Sequence, residues 1–151
     1  MAALPGAVLF ACNFNRVRSP MAESLMRIAF GTRVFVDSVG LRREPDGKTV
    51  DPFAAAVMDE LGADLSGFRP KTFDDLEDES FDLVVSLTPE AHHRAVEMAR
   101  GRAVDIEYWP TMDPTLTSGS REQVLEAYRQ VRDQLARRIR ERFGKASTFG
   151  G

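Results

Sequence analysis

A chain of 151 residues with 43% hydrophobic and 28% charged residues suits one domain, long enough to bury roughly two-thirds of its unfolded surface. The formal charge of −3 provides no general attraction to nucleic acid or to anionic membranes, and no apolar run approaches the ~20 residues of a membrane span, so neither partner is expected and the expected location is the cytoplasm. One cysteine excludes an intramolecular disulfide, and with two adjacent histidines it leaves no sulfur-rich metal site; that thiol is spare for chemistry.

Gly6 to Ala11 is a short continuous apolar run, the pattern of a strand buried on both faces of a parallel sheet. Cys12-Asn13-Phe14-Asn15-Arg16-Val17-Arg18-Ser19 follows at its carboxyl end and leads into a helix opened by Ser19-Pro20. Backbone N–H groups of such a loop can turn into one concavity, which at a helix N-terminus binds a tetrahedral anion, so Asn13, Phe14, Asn15, Arg16, Val17 and Ser19 are read as phosphate-cradling residues. Cys12 lies at the floor, where the helix end and Arg18 favour thiolate over thiol. Arg18 presents a planar fork suited to two oxygens of a phosphoryl group in flight. Ser19 is expected both to cap the helix and to donate to the sulfur.

Met21, Leu25 and Ile28 mark one face of that first helix, and Gly31 ends it. Arg33 to Asp37 reads as the second strand. Ser38 to Val50 reads as a loop with turn signals at Pro45 and Asp46-Gly47; its Arg42, Arg43 and Lys48 read first as solvated, and second as a border to the cradle. Asp51-Pro52 starts another helix, with Phe53, Val57 and Leu61 as a core stripe and Gly62 as its stop. Asp74 to Glu79 reads as a solvated helical turn. Phe81 to Leu87 is the third strand and Pro89 to Arg100 a helix, on which the neighbouring His92 and His93 point about 100° apart, cannot form an i, i+4 metal pair, and are taken as surface residues. Ala103 to Tyr108 is the fourth strand. A long amphipathic helix runs from about Ser120 to Phe143 with Val124, Tyr128, Val131, Leu135 and Ile139 inward and arginines outward; residues 145–151 read as a frayed tail of the single domain 1–151. This alternation implies an α/β fold, a parallel sheet with helices on both faces.

Asp113 is the second chemical element. Thiolate attack on a phosphate monoester expels an alkoxide or phenoxide, which leaves well only when an acid protonates it. Asp113 follows the last strand, near the carboxyl ends where ligands of open parallel sheets bind, and Pro114 holds it away from helical geometry.

Cys12-x-x-Asn15-x-x-Arg18-Ser19, the Asp37-Ser38-x-Gly40 turn and the late Asp113-Pro114, in this order and over nearly the whole chain, resemble the low-molecular-weight protein tyrosine phosphatase superfamily, which includes thioredoxin-coupled arsenate reductases. The resemblance implies a three-layer fold on a four-stranded parallel sheet of order 2-1-3-4, a cysteinyl-phosphate intermediate, and no metal or organic cofactor. It makes Cys12 the nucleophile, Arg18 the transition-state clamp and Asp113 the general acid, with Asn15 shaping the loop and Ser19 orienting the thiolate. The implied substrate is a phosphorylated protein, phosphotyrosine first, or a small phosphate ester, with inorganic phosphate as loop ligand. Phe14 stands where these phosphatases usually carry glycine, and Thr115-Leu116 where eukaryotic-type enzymes carry an aromatic pair. Tyr108-Trp109 with the following Asp113-Pro114, and the strand from Phe81 to Leu87, resemble the arsenate reductase branch, but without a second cysteine an internal disulfide relay is impossible, leaving arsenate reduction with an external low-molecular-weight thiol as one alternative and a non-catalytic phosphate-binding or partner-binding domain as another.

Overall fold

The computed structural model describes residues 4–77 and 80–144. The expected tail at 145–151 and the last two residues of the acidic stretch, 78 and 79, lie outside the described residues. Four parallel strands, β1 (Ala7–Cys12), β2 (Phe35–Gly40), β3 (Leu83–Ser86) and β4 (Asp105–Tyr108), pair in the order β2-β1-β3-β4. The apolar runs of β1 and β3 occupy the centre, where both faces are covered, whereas β4 at the edge is only partly buried.

The period-two alternation of β1 sets the sides. Val8, Phe10 and Cys12 face the larger core, formed with α1 (Arg18–Phe30), α2 (Pro52–Asp59) and α4 (Arg121–Phe143). Leu9 and Ala11 face α3 (Pro89–Ala99), whose Ala91, Ala95 and Met98 close the other side. The lone thiol therefore emerges on the α1/α4 face at the carboxyl edge of the central strand. Leu135 and Ile139 of α4 are 1% exposed, each worth about 2 kcal/mol in side-chain burial, and they anchor the long helix beneath the site.

Several boundaries differ from expectation. β2 runs on through Ser38 to Gly40 because Phe10 pairs with Ser38 and Cys12 with Gly40, so the Asp37-Ser38-x-Gly40 motif is ladder, not turn. Gly40 is the position that lets the cradle close. A Cβ there would sit 2.6 Å from the Phe14 carbonyl carbon and 2.7 Å from the Asn15 nitrogen, both backbone atoms. α1 begins at Arg18, and its cap, Val17, makes no side-chain bond, so Ser19 does not cap the helix: it is already in the first turn, and its hydroxyl points to Cys12 instead. Ile28 is 39% and Leu61 45% exposed; α2 ends at Asp59, before Leu61 can join the stripe. His92 is half-buried, its Nδ1 2.9 Å from Ser86 Oγ and its ring stacked on Tyr108, because α3 lies over the edge strand; His93 is exposed as expected. Arg132 is the exception on the arginine face of α4, buried with Nη1 donating to Val57 O and to Glu60. Among the described residues no helix is long and apolar enough to cross a membrane.

Candidate active site

The loop between β1 and α1 is held from behind by one amide. Asn15 is fully buried and takes φ 58°, the left-handed conformation that asparagine tolerates better than most residues, so the tight bend falls there and Phe14 needs no positive φ. Its Nδ2 donates to Ser19 Oγ (2.8 Å) and Ser38 Oγ (2.9 Å), and its Oδ1 accepts from Lys71 N (2.9 Å). Ser38 in turn donates to Glu23 Oε1 at 2.6 Å, and Arg27 holds the other oxygen of that carboxylate at 2.8 Å. This chain orients Ser19: its oxygen accepts from Asn15, which leaves its proton for Cys12 Sγ at 3.0 Å or for Val39 O at 3.4 Å. The shorter contact is the one to sulfur.

In front of the loop lies a cleft of about 310 Å³ lined by Cys12, Phe14, Arg16, Val17, Arg18, Glu44, Asp51, Asp113 and Thr115. Arg18 Nη1 donates to Thr111 O at 2.9 Å, and Nη2 stands 3.9 Å from Asp113 Oδ2. Asp113 caps a 3-10 turn over Pro114–Leu116, its Oδ1 accepting from Thr115 N (2.9 Å) and Thr115 Oγ1 (2.6 Å), so Oδ2 is the oxygen turned to Arg18. The segment after β4 reaches this place because Trp109 N donates to Ser86 O and Thr111 N to Leu87 O, which lays it across the end of β3.

The candidate residues divide into two sets. Cys12, Phe14, Arg16, Val17, Arg18 and Asp113 share the cleft. The side chains of Asn13, Asn15 and Ser19 do not line it: Asn13 Oδ1 accepts from Thr88 Oγ1 at 2.7 Å and ties the loop to the start of α3, while Asn15 and Ser19 form the buried layer described above. Arg42 stacks over the Phe14 ring, and Arg43 pairs with Asp75 at 2.6 Å. Sequence reasoning missed Glu44, Asp51 and Thr115 as cleft residues. Asp51 was legible only as a helix cap, which it is, through Oδ1 to Phe53 N and Ala54 N; its Oδ2 accepts from Tyr128 OH of α4, a contact 77 residues away that no local pattern announces. Burial, followed by the Asp51 charge, raises the Tyr128 pKa far above its usual value. A larger hollow of about 420 Å³ lies between α1 and the loop of residues 63–68, but Cys12 does not line it, and the thiol chemistry belongs to the smaller cleft.

A thiol at the end of a central parallel strand, backed by a hydroxyl and faced by an arginine and a carboxylate, defines a small α/β enzyme built around an oxyanion cradle. The chain belongs to the low molecular weight phosphotyrosine protein phosphatase family, whose sequence profile matches residues 7–146. It is 30% identical over 140 residues to a glutaredoxin arsenate reductase of Synechocystis sp., covering 93% of this chain and 98% of that one. It is also 31% identical over 144 residues to a protein-arginine-phosphatase of Bacillus subtilis, covering 89% and 92%. A solved arsenate reductase in its phosphate binding state superimposes with a TM-score of 0.69 at 29% identity, over 93% of this chain and 98% of that chain.

Proposed function

We propose that the protein hydrolyses phosphate monoesters, with protein phosphotyrosine as the first candidate substrate, through a phosphocysteine at Cys12. The observation that carries this reading is the meeting of three groups in one cleft: the lone thiol, an arginine steadied by Thr111 O, and a carboxylate with one oxygen left for a proton. Cys12 Sγ attacks phosphorus, the ester P–O bond breaks, and the Asp113 carboxyl gives its proton to the departing oxygen. Water then attacks phosphorus, Asp113 takes the water's proton, and the P–S bond breaks to release phosphate and the thiolate. Arg18 grips the equatorial oxygens during both transfers, and Ser19 stabilises the sulfur when it is negatively charged. Hydrolysis of para-nitrophenyl phosphate tests this: Cys12→Ser is expected to abolish turnover and Arg18→Ala to reduce it by about a hundredfold or more. A Cys12→Ser protein with wild-type activity removes the mechanism.

The second reading is arsenate reduction, favoured by the identity to the glutaredoxin arsenate reductase together with the single thiol. Cys12 displaces an oxygen from arsenate, an external thiol attacks Sγ, and arsenite leaves with the S–As electron pair. A second external thiol then reduces the mixed disulfide. Assaying aryl phosphate and arsenate with glutathione in parallel separates the two, since only the first requires Asp113 to protonate an organic leaving group.

A further inference from the structure

The cradle carries two arginines, and the structure holds them alike. Arg18 is pinned by a carbonyl, Thr111 O at 2.9 Å, with its carboxylate Asp113 at 3.9 Å. Arg16 is pinned by Thr49 O at 2.9 Å through Nε, with Glu44 at 3.9 Å from Nη1. By contrast, among the described residues the pairs Arg43–Asp75 and Arg142–Glu107 close to 2.6 Å, while the pair Arg94–Asp74 stays at 3.6 Å. A half-exposed pair at 3.9 Å contributes little to stability. Asp51, the other acid beside Arg16, has its oxygens engaged by Phe53 N, Ala54 N and Tyr128 OH.

Of the Arg16–Glu44 pair, the arginine is the fixed member. Its carbonyl accepts from Asp51 N at 2.9 Å, its Nε is tied to Thr49 O, and its side chain is 22% exposed against 39% for Glu44. The turn from Glu44 to Gly47 closes on its stem: Gly47 N donates to Glu44 O at 2.8 Å, Asp46 takes φ 65°, and a Cβ at Gly47 would lie 3.0 Å from Arg16 Cδ. Within this pair the fixed charge is therefore the cation and the exchangeable one the anion, while the Asp51 carboxylate beside it is held in place by its own donors.

We propose that the Arg16 side chain is a specificity-determining second anion site, selecting phosphate monoesters that carry another anionic group close to the phosphoryl group, which displaces Glu44. The inference rests on the hydrolase reading. On a protein substrate the second anion is an acidic side chain or a second phosphoryl group beside the phosphorylated residue. Arg18 serves the transferred phosphoryl group and Arg16 its neighbour, a fork suited to either oxyanion.

Phosphotyrosine peptides identical except for one neighbouring residue, glutamate, glutamine, lysine or a second phosphotyrosine, keep the leaving group constant and isolate this contact. The wild-type kcat/KM is expected to favour the glutamate peptide over the glutamine peptide by about tenfold, the scale of one charge-assisted hydrogen bond at a half-exposed site, with the lysine peptide poorest. The doubly phosphorylated peptide shows whether a second phosphoryl group is preferred over a carboxylate. Arg16→Gln should bring the glutamate-to-glutamine ratio to about one, Arg16→Lys should restore part of it, and Glu44→Gln should enlarge it, since the resident counter-charge is gone. Raising salt should shrink the ratio in the wild type and leave it unchanged in Arg16→Gln. A structural role for Arg16 moves none of these ratios, and the Glu44→Gln arm decides the matter if Arg16→Gln does not fold. No preference in the wild type, a preference for lysine, or a glutamate preference that survives Arg16→Gln overturns the inference while para-nitrophenyl phosphate hydrolysis stands. No phosphate release from any substrate removes the hydrolase reading and this one with it.

Discussion

Replacing Gly40 by alanine adds one methyl group at the point where β2 meets the cradle. The new carbon would lie 2.6 Å from the Phe14 carbonyl carbon, 2.7 Å from Asn15 N and 2.9 Å from Phe14 Cα, where ordinary contact begins near 3.4 Å. All three are backbone atoms, so no side chain can rotate away, and the strand cannot retreat because Gly40 pairs with Cys12 in the ladder and its N–H donates to Lys71 O at 2.7 Å. The loop must shift by somewhat under 1 Å, carrying Asn15 off its contacts with Ser19 and Ser38. Overpacking of this kind costs about 1–3 kcal/mol, or roughly 2–12 °C in Tm for a chain of this size. Displacement of the reacting groups by ~1 Å is worth up to about a hundredfold in rate. Gly67→Ala is the control, because a Cβ there meets nothing within 4 Å. Thermal unfolding and para-nitrophenyl phosphate kinetics measure both consequences. A Gly40→Ala protein with wild-type kcat/KM and Tm refutes the claim that glycine is required for the cradle to close.

Asp113→Asn is expected to slow hydrolysis of an alkyl phosphate by about 10²–10⁴-fold while affecting an ester with a good leaving group much less; equal losses on both would take Asp113 out of the acid role. Asn15→Ala leaves buried partners unpaired and puts alanine at φ 58°, so equilibrium unfolding should show a loss of about 3 kcal/mol, and a loss under 1 kcal/mol would mean the amide does not hold the loop. The raised pKa of Tyr128 means that the folded protein keeps a proton which the unfolded chain loses near pH 10, so its contribution is complete below that pH and declines above it. Stability measured between pH 9 and about 11 should fall more steeply in the wild type than in Tyr128→Phe, and parallel curves would contradict the assignment. Glu60 has its pKa lowered, first by its hydrogen bond to Arg129 and then by that to Arg132, so its contribution is present above the ordinary carboxylate range and fades as acid protonates it. Glu60→Gln should flatten the acid limb of the stability profile; an unchanged limb would count against it.

The order of elements and the loop carrying Cys12 and Arg18 were legible in the sequence because each rests on local information: apolar runs, an Asp-Pro cap, a nucleophile six positions before an arginine. The strand order 2-1-3-4 is non-local and is expected only through the family resemblance. Local signals were weakest where a neighbouring strand or helix sets the outcome. Asp37-Ser38-x-Gly40 has the residues of a turn, and only pairing with β1 makes it a strand. Ser19 has the residue type both of a cap and of a partner for the sulfur, and the start of α1 at Arg18 together with the Asn15–Ser38–Glu23 chain leaves the contact with the sulfur and not the cap. Arg132 has the polarity of a surface residue, and only the approach of α2 buries it.

By itself the sequence determined that a single thiol follows a buried strand and precedes an arginine at anion-cradle spacing, that no second cysteine exists to relay oxidation, and that a carboxylate follows the last strand. Tertiary structure decided the rest of the cleft. Parallel crossovers bring residues 44, 51 and 115 to the carboxyl edge beside Cys12 and Asp113, and the strand-to-helix connections are free enough in sequence that nothing local specifies that these three side chains arrive. The physical reason is that a cleft is a property of packed elements, with each charge in it set by contacts with residues tens of positions away. The two arginines of the cradle were visible from the start, but the carbonyls and the distant carboxylates that leave both forks available were supplied only by the fold.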